Sequence, residues 1–132
     1  MIVLDEQLLG RNIDREISSW YSGKVLFITD LRPHTIIKDD AIPGLLRQEN
    51  RPTFITLNEK DFWRKVDIDD RFCIICLLLP DSRVSEIPNI LQSLFRMPEL
   101  KTKADRMGKV IRATDDNIYF YSCYDKHVRE LN

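Results

Sequence analysis

Phe72-Cys73-Ile74-Ile75-Cys76-Leu77-Leu78-Leu79, closed by Pro80-Asp81, is the longest uninterrupted apolar run in the sequence. It is far below the ~20 residues of a membrane span. With no polar alternation and a turn signal behind it, the run reads as a strand buried on both faces, as found inside a parallel sheet. Such a strand needs cover on both sides, and its neighbours offer helices. The stretch 82–97 carries Val84, Ile87, Ile90, Leu91, Leu94 and Phe95 at helical spacing, with Pro88 kinking or delaying the helix. Upstream, Pro52 introduces a strand over 53–57, followed by Asn58 to Trp63 and a helical turn reaching about Val66.

Further out, Ile2-Val3-Leu4 is a short strand, and Leu8, Leu9, Ile13, Ile17, Trp20 and Tyr21 form a helical stripe ended by Ser22-Gly23. Residues 24–30 read as a mostly apolar strand buried on both faces, and 31–38 as a loop. Asp39-Asp40 stand where a helix N-cap belongs, before a short helix over 41–47 whose first turn tolerates Pro43. Downstream, 98–108 is a charged linker, 109–113 and 118–122 form a hairpin around Thr114 to Asn117, and the polar end reads as a frayed tail. The order β-α-β-α-β-(α)-β-α-β-β, without a repeat, predicts one α/β domain over 1–132 with a mainly parallel sheet covered by helices and a C-terminal hairpin.

At 132 residues and 43% apolar content the chain can build a core without a disulfide or a structural metal. Twenty Lys+Arg against 21 Asp+Glu leave a net charge of −1, so any contact with nucleic acid must use a local patch. Three cysteines, two of them inside the apolar run, make no disulfide framework and predict a reducing, cytoplasmic location. The opening turns acidic at Asp5-Glu6, before a signal-peptide core could form, and no membrane association is expected. Cys73 and Cys76 have C-x-x-C spacing, but on a strand they face opposite sides, so they are read as buried apolar residues. Glycines at 10, 23, 44 and 108 write neither a phosphate loop nor a dinucleotide fingerprint.

The chemistry that stands out is acidic. Asp5-Glu6 closes the first strand, Asp39-Asp40 opens the helix after the second, and Glu59 with Asp61 follows the third. In a parallel sheet these positions converge at the carboxyl ends of the strands, where ligands bind in open α/β sheets. Converging carboxylates raise one another's pKa, and a divalent cation with oxygen ligands is the usual compensation. Each acid singly is better read as a helix cap or a dipole partner. Taken jointly, the metal and capping readings stand level.

At these residues the sequence resembles the PIN-domain superfamily, in particular the short bacterial PIN-like proteins. Ile2-Val3-Leu4-Asp5-Glu6-Gln7-Leu8 is similar to their Leu-Asp-Glu-Asn opening. Asp39 with Ile42 matches the Asp that starts a helix with an aliphatic residue three positions on. Leu57-Asn58-Glu59-Lys60-Asp61-Phe62 resembles Thr-x-Asp-x-Asp-Phe, with Leu57 at the Thr position beside Thr56, and Glu59 in place of Asp. The resemblance implies a three-layer α/β/α sandwich and a Mg²⁺- or Mn²⁺-dependent endoribonuclease, often the toxin of a toxin-antitoxin pair. It implies Asp5, Asp39, Glu59 and Asp61 as the catalytic and metal-holding residues, with Glu6 and Asp40 in reserve. RNA is the implied substrate, and an antitoxin protein or a second copy of the chain the implied partner. Arg32, Lys60 and Arg64, with Lys38 and Arg47, are the cations placed to meet RNA phosphates. A PIN-like module that binds protein or RNA without cutting is the alternative. A phospho-receiver domain is disfavoured, because Asp30 ends the second strand rather than the third.

Overall fold

The computed structural model describes residues 1–131. Seven strands form one sheet in the order β2-β1-β3-β4-β5-β6-β7. They are β1 (Ile2–Leu4), β2 (Val25–Phe27), β3 (Thr53–Thr56), β4 (Cys73–Leu77), β5 (Lys109–Ala113), β6 (Ile118–Ser122) and β7 (Arg129–Leu131). The first five run parallel, and β5, β6 and β7 are antiparallel neighbours. Six helices join them: α1 (Ile13–Ser18), α2 (Ile28–Leu31), α3 (Ile42–Arg47), α4 (Glu59–Phe62), α5 (Ile87–Leu94) and α6 (Lys103–Arg106). The expected α/β class with a mainly parallel sheet is therefore present.

β4 lies inside the sheet, and all five of its residues are buried. Residues along the strands alternate between two apolar clusters, as the two-residue period of a strand requires. Ile2, Leu4, Ile55, Cys73, Ile75, Leu77 and Ile111 join α1 through Ile13 and Ile17, and α5 through Ile87, Leu91 and Leu94. Val3, Phe54, Ile74, Cys76 and Val110 join α2 through Ile28, α3 through Ile42, Leu45 and Leu46, and α4 through Phe62. Each fully buried Ile, Leu or Phe contributes roughly 1.5–3 kcal/mol. Cys73 and Cys76 fall in different clusters, in keeping with their expected placement on opposite faces.

Several local expectations are corrected. The second strand stops at Phe27 because Asp30 Oδ2 accepts the Phe27 N–H at 2.9 Å and caps α2, so Asp30 lies in a helix. β2 is an edge strand and only half-buried, not covered on both faces. The stripe from Leu8 to Tyr21 is broken at Gly10 and Asn12, both at positive φ, into a 3-10 turn at Glu6–Leu8 and α1. The segment before α5 winds as a 3-10 helix over Asp81–Glu86, and Pro88 sits in the first turn of α5, where its missing N–H costs nothing. The charged linker contains α6, closed by a reciprocal pair: the Asp105 N–H donates to Thr102 Oγ1 at 3.0 Å, and the Thr102 N–H to Asp105 Oδ2 at 3.1 Å. The polar end does not fray. It forms β7 against β6, with Leu131 buried in the core. Among the described residues no helix is long and apolar enough to cross a membrane.

Candidate functional site

β1 and β3 lie side by side with Leu4 opposite Ile55, so the next residue of each chain, Asp5 and Thr56, meet at the carboxyl rim of the sheet. Asp5 is buried, with 3% of its surface exposed. Its Oδ2 accepts from Thr56 Oγ1 at 2.7 Å, and its Oδ1 from the Glu6 N–H at 2.8 Å. Burial pushes the Asp5 carboxyl above its ordinary value, against the pull of these two hydrogen bonds. Thr56 Oγ1 in turn accepts the Asn58 N–H at 3.0 Å. Asn58 Nδ2 donates to Asp39 Oδ2 at 2.8 Å and to Asp61 Oδ2 at 2.7 Å. One chain of hydrogen bonds thus runs from Asp5 through Thr56 and Asn58 to Asp39 and Asp61.

Asp39 opens a 3-10 turn at Asp39–Ala41 that leads into α3, and no side-chain bond caps either element. The capping role expected of Asp39-Asp40 is therefore absent, and Asp39 turns toward Asn58 instead. Its carboxyl is pushed up to about 6, first by burial, then by its hydrogen bond to Asp61 and by repulsion from Asp5 and Asp61, with Asn58 pulling the other way. Asp61 moves down, because Asn58 and Asp39 both donate to it, with help from the Lys65 charge. Asp39 is accordingly the member of the pair that keeps a proton.

The four acids implied as ligands separate into three and one. Asp5, Asp39 and Asp61 face one another and enter no salt bridge among the described residues. Glu59 Oε1 instead accepts from Arg112 Nε of β5 at 2.6 Å. The cause is helical geometry: Glu59 and Asp61 lie in α4, where residues two apart point to different sides. Glu6 and Asp40 are exposed. Thr56 and Asn58 were not among the expected site residues. Their signal was the short polar stretch at the end of β3, with a threonine beside the position where one was sought.

The cations are placed variously. Arg32 and Lys60 are exposed. Arg64 lies over the Tyr121 ring at 4.5 Å and donates to the Lys126 carbonyl at 3.4 Å. Arg47 is held by Asp69 and by the Asp67 carbonyl, both at 2.6 Å. An open groove of about 580 Å³ runs past Asp39 and Asp61, with Lys38, Asp40, Arg47 and Lys65 on its walls.

The donor set suits a hard divalent cation in its chemistry, being three carboxylates that enter no salt bridge among the described residues. As they stand, no three His, Cys, Asp or Glu side chains among the described residues are arranged to hold a metal ion. Asn58 Nδ2 bridges Asp39 and Asp61 instead. No family model, curated protein or solved structure matches the chain.

Proposed function

We propose that the chain is a PIN-like domain with a three-layer α/β/α arrangement that hydrolyses RNA phosphodiesters with Mg²⁺ or Mn²⁺, in the cytoplasm. The observation that supports this is the unbalanced charge of Asp5, Asp39 and Asp61 at the carboxyl rim, with Asp39 holding a proton up to about pH 6. Within a protein, carboxylates left in this condition are the setting in which a divalent cation gains most.

In this reading Asp5, Asp39 and Asp61 hold the cation, while Glu59 is engaged by Arg112. Bound there, the cation supplies a lowered pKa to an attacking water and charge to the phosphodiester oxygens. Loading requires the Asn58 amide to turn away from the two carboxylates it bridges. Asp5 is the fixed member, since Thr56 and the Glu6 N–H hold both of its oxygens. Asp39, raised to about 6 while the site is metal-free, gives up its proton when the cation loads. Lys38 and Lys65, on the walls of the groove, meet the phosphates. The place of the protein in a toxin-antitoxin pair rests on the resemblance alone.

The second reading, a PIN-like module that binds without cutting, is favoured by the Asn58 bridge itself, which satisfies Asp39 and Asp61 without a metal. A thermal-shift titration with Mg²⁺ and Mn²⁺ separates the two, because a ligand bound only by the native state raises its apparent stability. The enzyme reading expects stabilisation that Asp5→Asn and Asp61→Asn abolish and Glu59→Gln preserves, together with RNA cleavage lost in the first two variants. No shift at millimolar metal favours the non-catalytic module.

A further inference from the structure

The sheet has two outer strands, and they are finished differently. β7 exposes Arg129 and Glu130, charged side chains of the kind that blunt an edge. β2 has no such side chains: Val25, Leu26 and Phe27 are apolar and half-buried, and only β1 pairs with them. The register of β1 and β2 decides which backbone groups are left over. The Ile2 N–H donates to the Lys24 carbonyl at 2.8 Å, with Ile2 opposite Val25. In a parallel ladder Leu26 then turns its N–H and carbonyl to β1, while Val25 and Phe27 turn theirs outward.

Neither outward group of Phe27 is free. Its N–H donates to Asp30 Oδ2 at 2.9 Å, and as the residue that caps α2 it gives its carbonyl to the first turn of that helix. Asp30 is exposed and enters no salt bridge among the described residues, which leaves its carboxylate to this N–H. Antiparallel pairing with a second copy about a two-fold axis normal to the sheet keeps every residue on its own face. The register centred on β2 sets Leu26 opposite Leu26 of the copy and Val25 opposite Phe27, an all-apolar set of cross-strand pairs. Its backbone bonds run between Val25 and Phe27. Those from the Phe27 N–H to the Val25 carbonyl, one in each direction across the axis, are the two that Asp30 removes. Val25 alone keeps both outward groups, which is well short of a usual strand.

We propose that Asp30 guards this edge: by occupying the Phe27 N–H it stops a second copy of the chain from continuing the sheet across β2. The assignment stands whether or not the acid site cuts.

Sedimentation equilibrium over a wide concentration range, with hydrogen exchange at the Phe27 amide, tests it. Asp30→Ala is expected to raise the weight-average mass with concentration toward twice the wild-type value. At low concentration it is expected to speed Phe27 amide exchange about tenfold or more, the factor that one hydrogen bond to a charged group implies. Asp30→Asn keeps a side-chain oxygen for the Phe27 N–H and is expected to sediment as wild type. Val25→Pro, placed in the Asp30→Ala chain, removes the other outward N–H without touching the β1 ladder and is expected to return the wild-type mass. An unchanged mass in Asp30→Ala, equal association in Asp30→Asn, association that Val25→Pro does not relieve, or unchanged Phe27 exchange would each overturn the proposal.

Discussion

Thr56→Val tests whether the buried carboxylate at the centre of the site is held as described. The substitution keeps the shape of the side chain and removes two hydrogen bonds: the one Thr56 Oγ1 donates to Asp5 and the one it accepts from the Asn58 N–H. A hydrogen bond to a charged group contributes about 2 kcal/mol and a neutral one about 1. The new methyl returns roughly 0.8 kcal/mol through burial, because Thr56 is fully buried. At pH 8, with Asp5 ionised, the net loss is about 2 kcal/mol; on the acid side, once Asp5 has taken up its proton in the fold, it is about 1 kcal/mol. Burial already raises the Asp5 pKa above 3.8, so the native state binds a proton more tightly than the unfolded chain and stability falls as pH rises through that window. The variant lifts the folded pKa further and widens the window upward, so the added loss appears on the alkaline side. For a domain of this size 1 kcal/mol corresponds to about 4 °C in Tm, which predicts a decrease of about 8 °C at pH 8 and about 4 °C at an acid pH where Asp5 is protonated. Thermal melts in EDTA at the two pH values measure it. The methyl and Asn58 contributions cancel in the difference, so equal losses at both pH values would refute the claim that Thr56 stabilises the charged form of Asp5.

Asp39 has its own signature. Because its carboxyl is raised to about 6, metal-free stability falls as pH climbs from about 4 to about 6 and then levels; Asp39→Asn removes that contribution, as denaturant titrations across the range will show. A thiol reagent at neutral pH is expected to label Cys123 and spare Cys73 and Cys76, which are fully buried and whose thiols burial pushes up to about 12; labelling of three thiols per native chain would contradict this. Gly108→Ala is expected to destabilise by on the order of 1–3 kcal/mol in urea melts, since φ is +81° and the new Cβ would lie 2.7 Å from Cys123 Sγ. A Cys123→Ala background should recover part of that loss.

The elements legible in the sequence were those set by local pattern. β4 announced itself by eight apolar residues and a terminal Pro80, and Asp5 by ending a strand too short to leave doubt about its rim. β7 was illegible, because Arg129-Glu130-Leu131 has no strand composition and is ordered by its pairing with β6 and by one buried leucine. At the site, spacing found Asp39 and Asp61 and grouped Glu59 with them. Sequence distance treats 59 and 61 as near equals, whereas a turn of helix sends one to Arg112 and the other to Asn58. Thr56 and Asn58 were overlooked because an uncharged residue carries no signal of its own until a partner distant in sequence, brought alongside by the fold, defines its task.

The strand order also bears on how the chain is made. Once β3 has paired beside β1, every later strand adds to the outer edge of the one before it, β4 to β7 in turn. Synthesis from the amino terminus therefore extends the sheet in the order in which residues leave the ribosome. All three facing acids are made within the first 61 residues, yet the strand that follows, β4, is the longest wholly apolar one among the described residues. Until Lys109–Ala113 arrives to pair with it, that strand is an open apolar edge some thirty residues ahead of its partner, the kind of surface on which nascent chains join one another. Chains interrupted between Leu78 and Lys109 keep that edge permanently, so a nonsense or frameshift lesion in this interval produces an aggregating fragment rather than a merely inactive one.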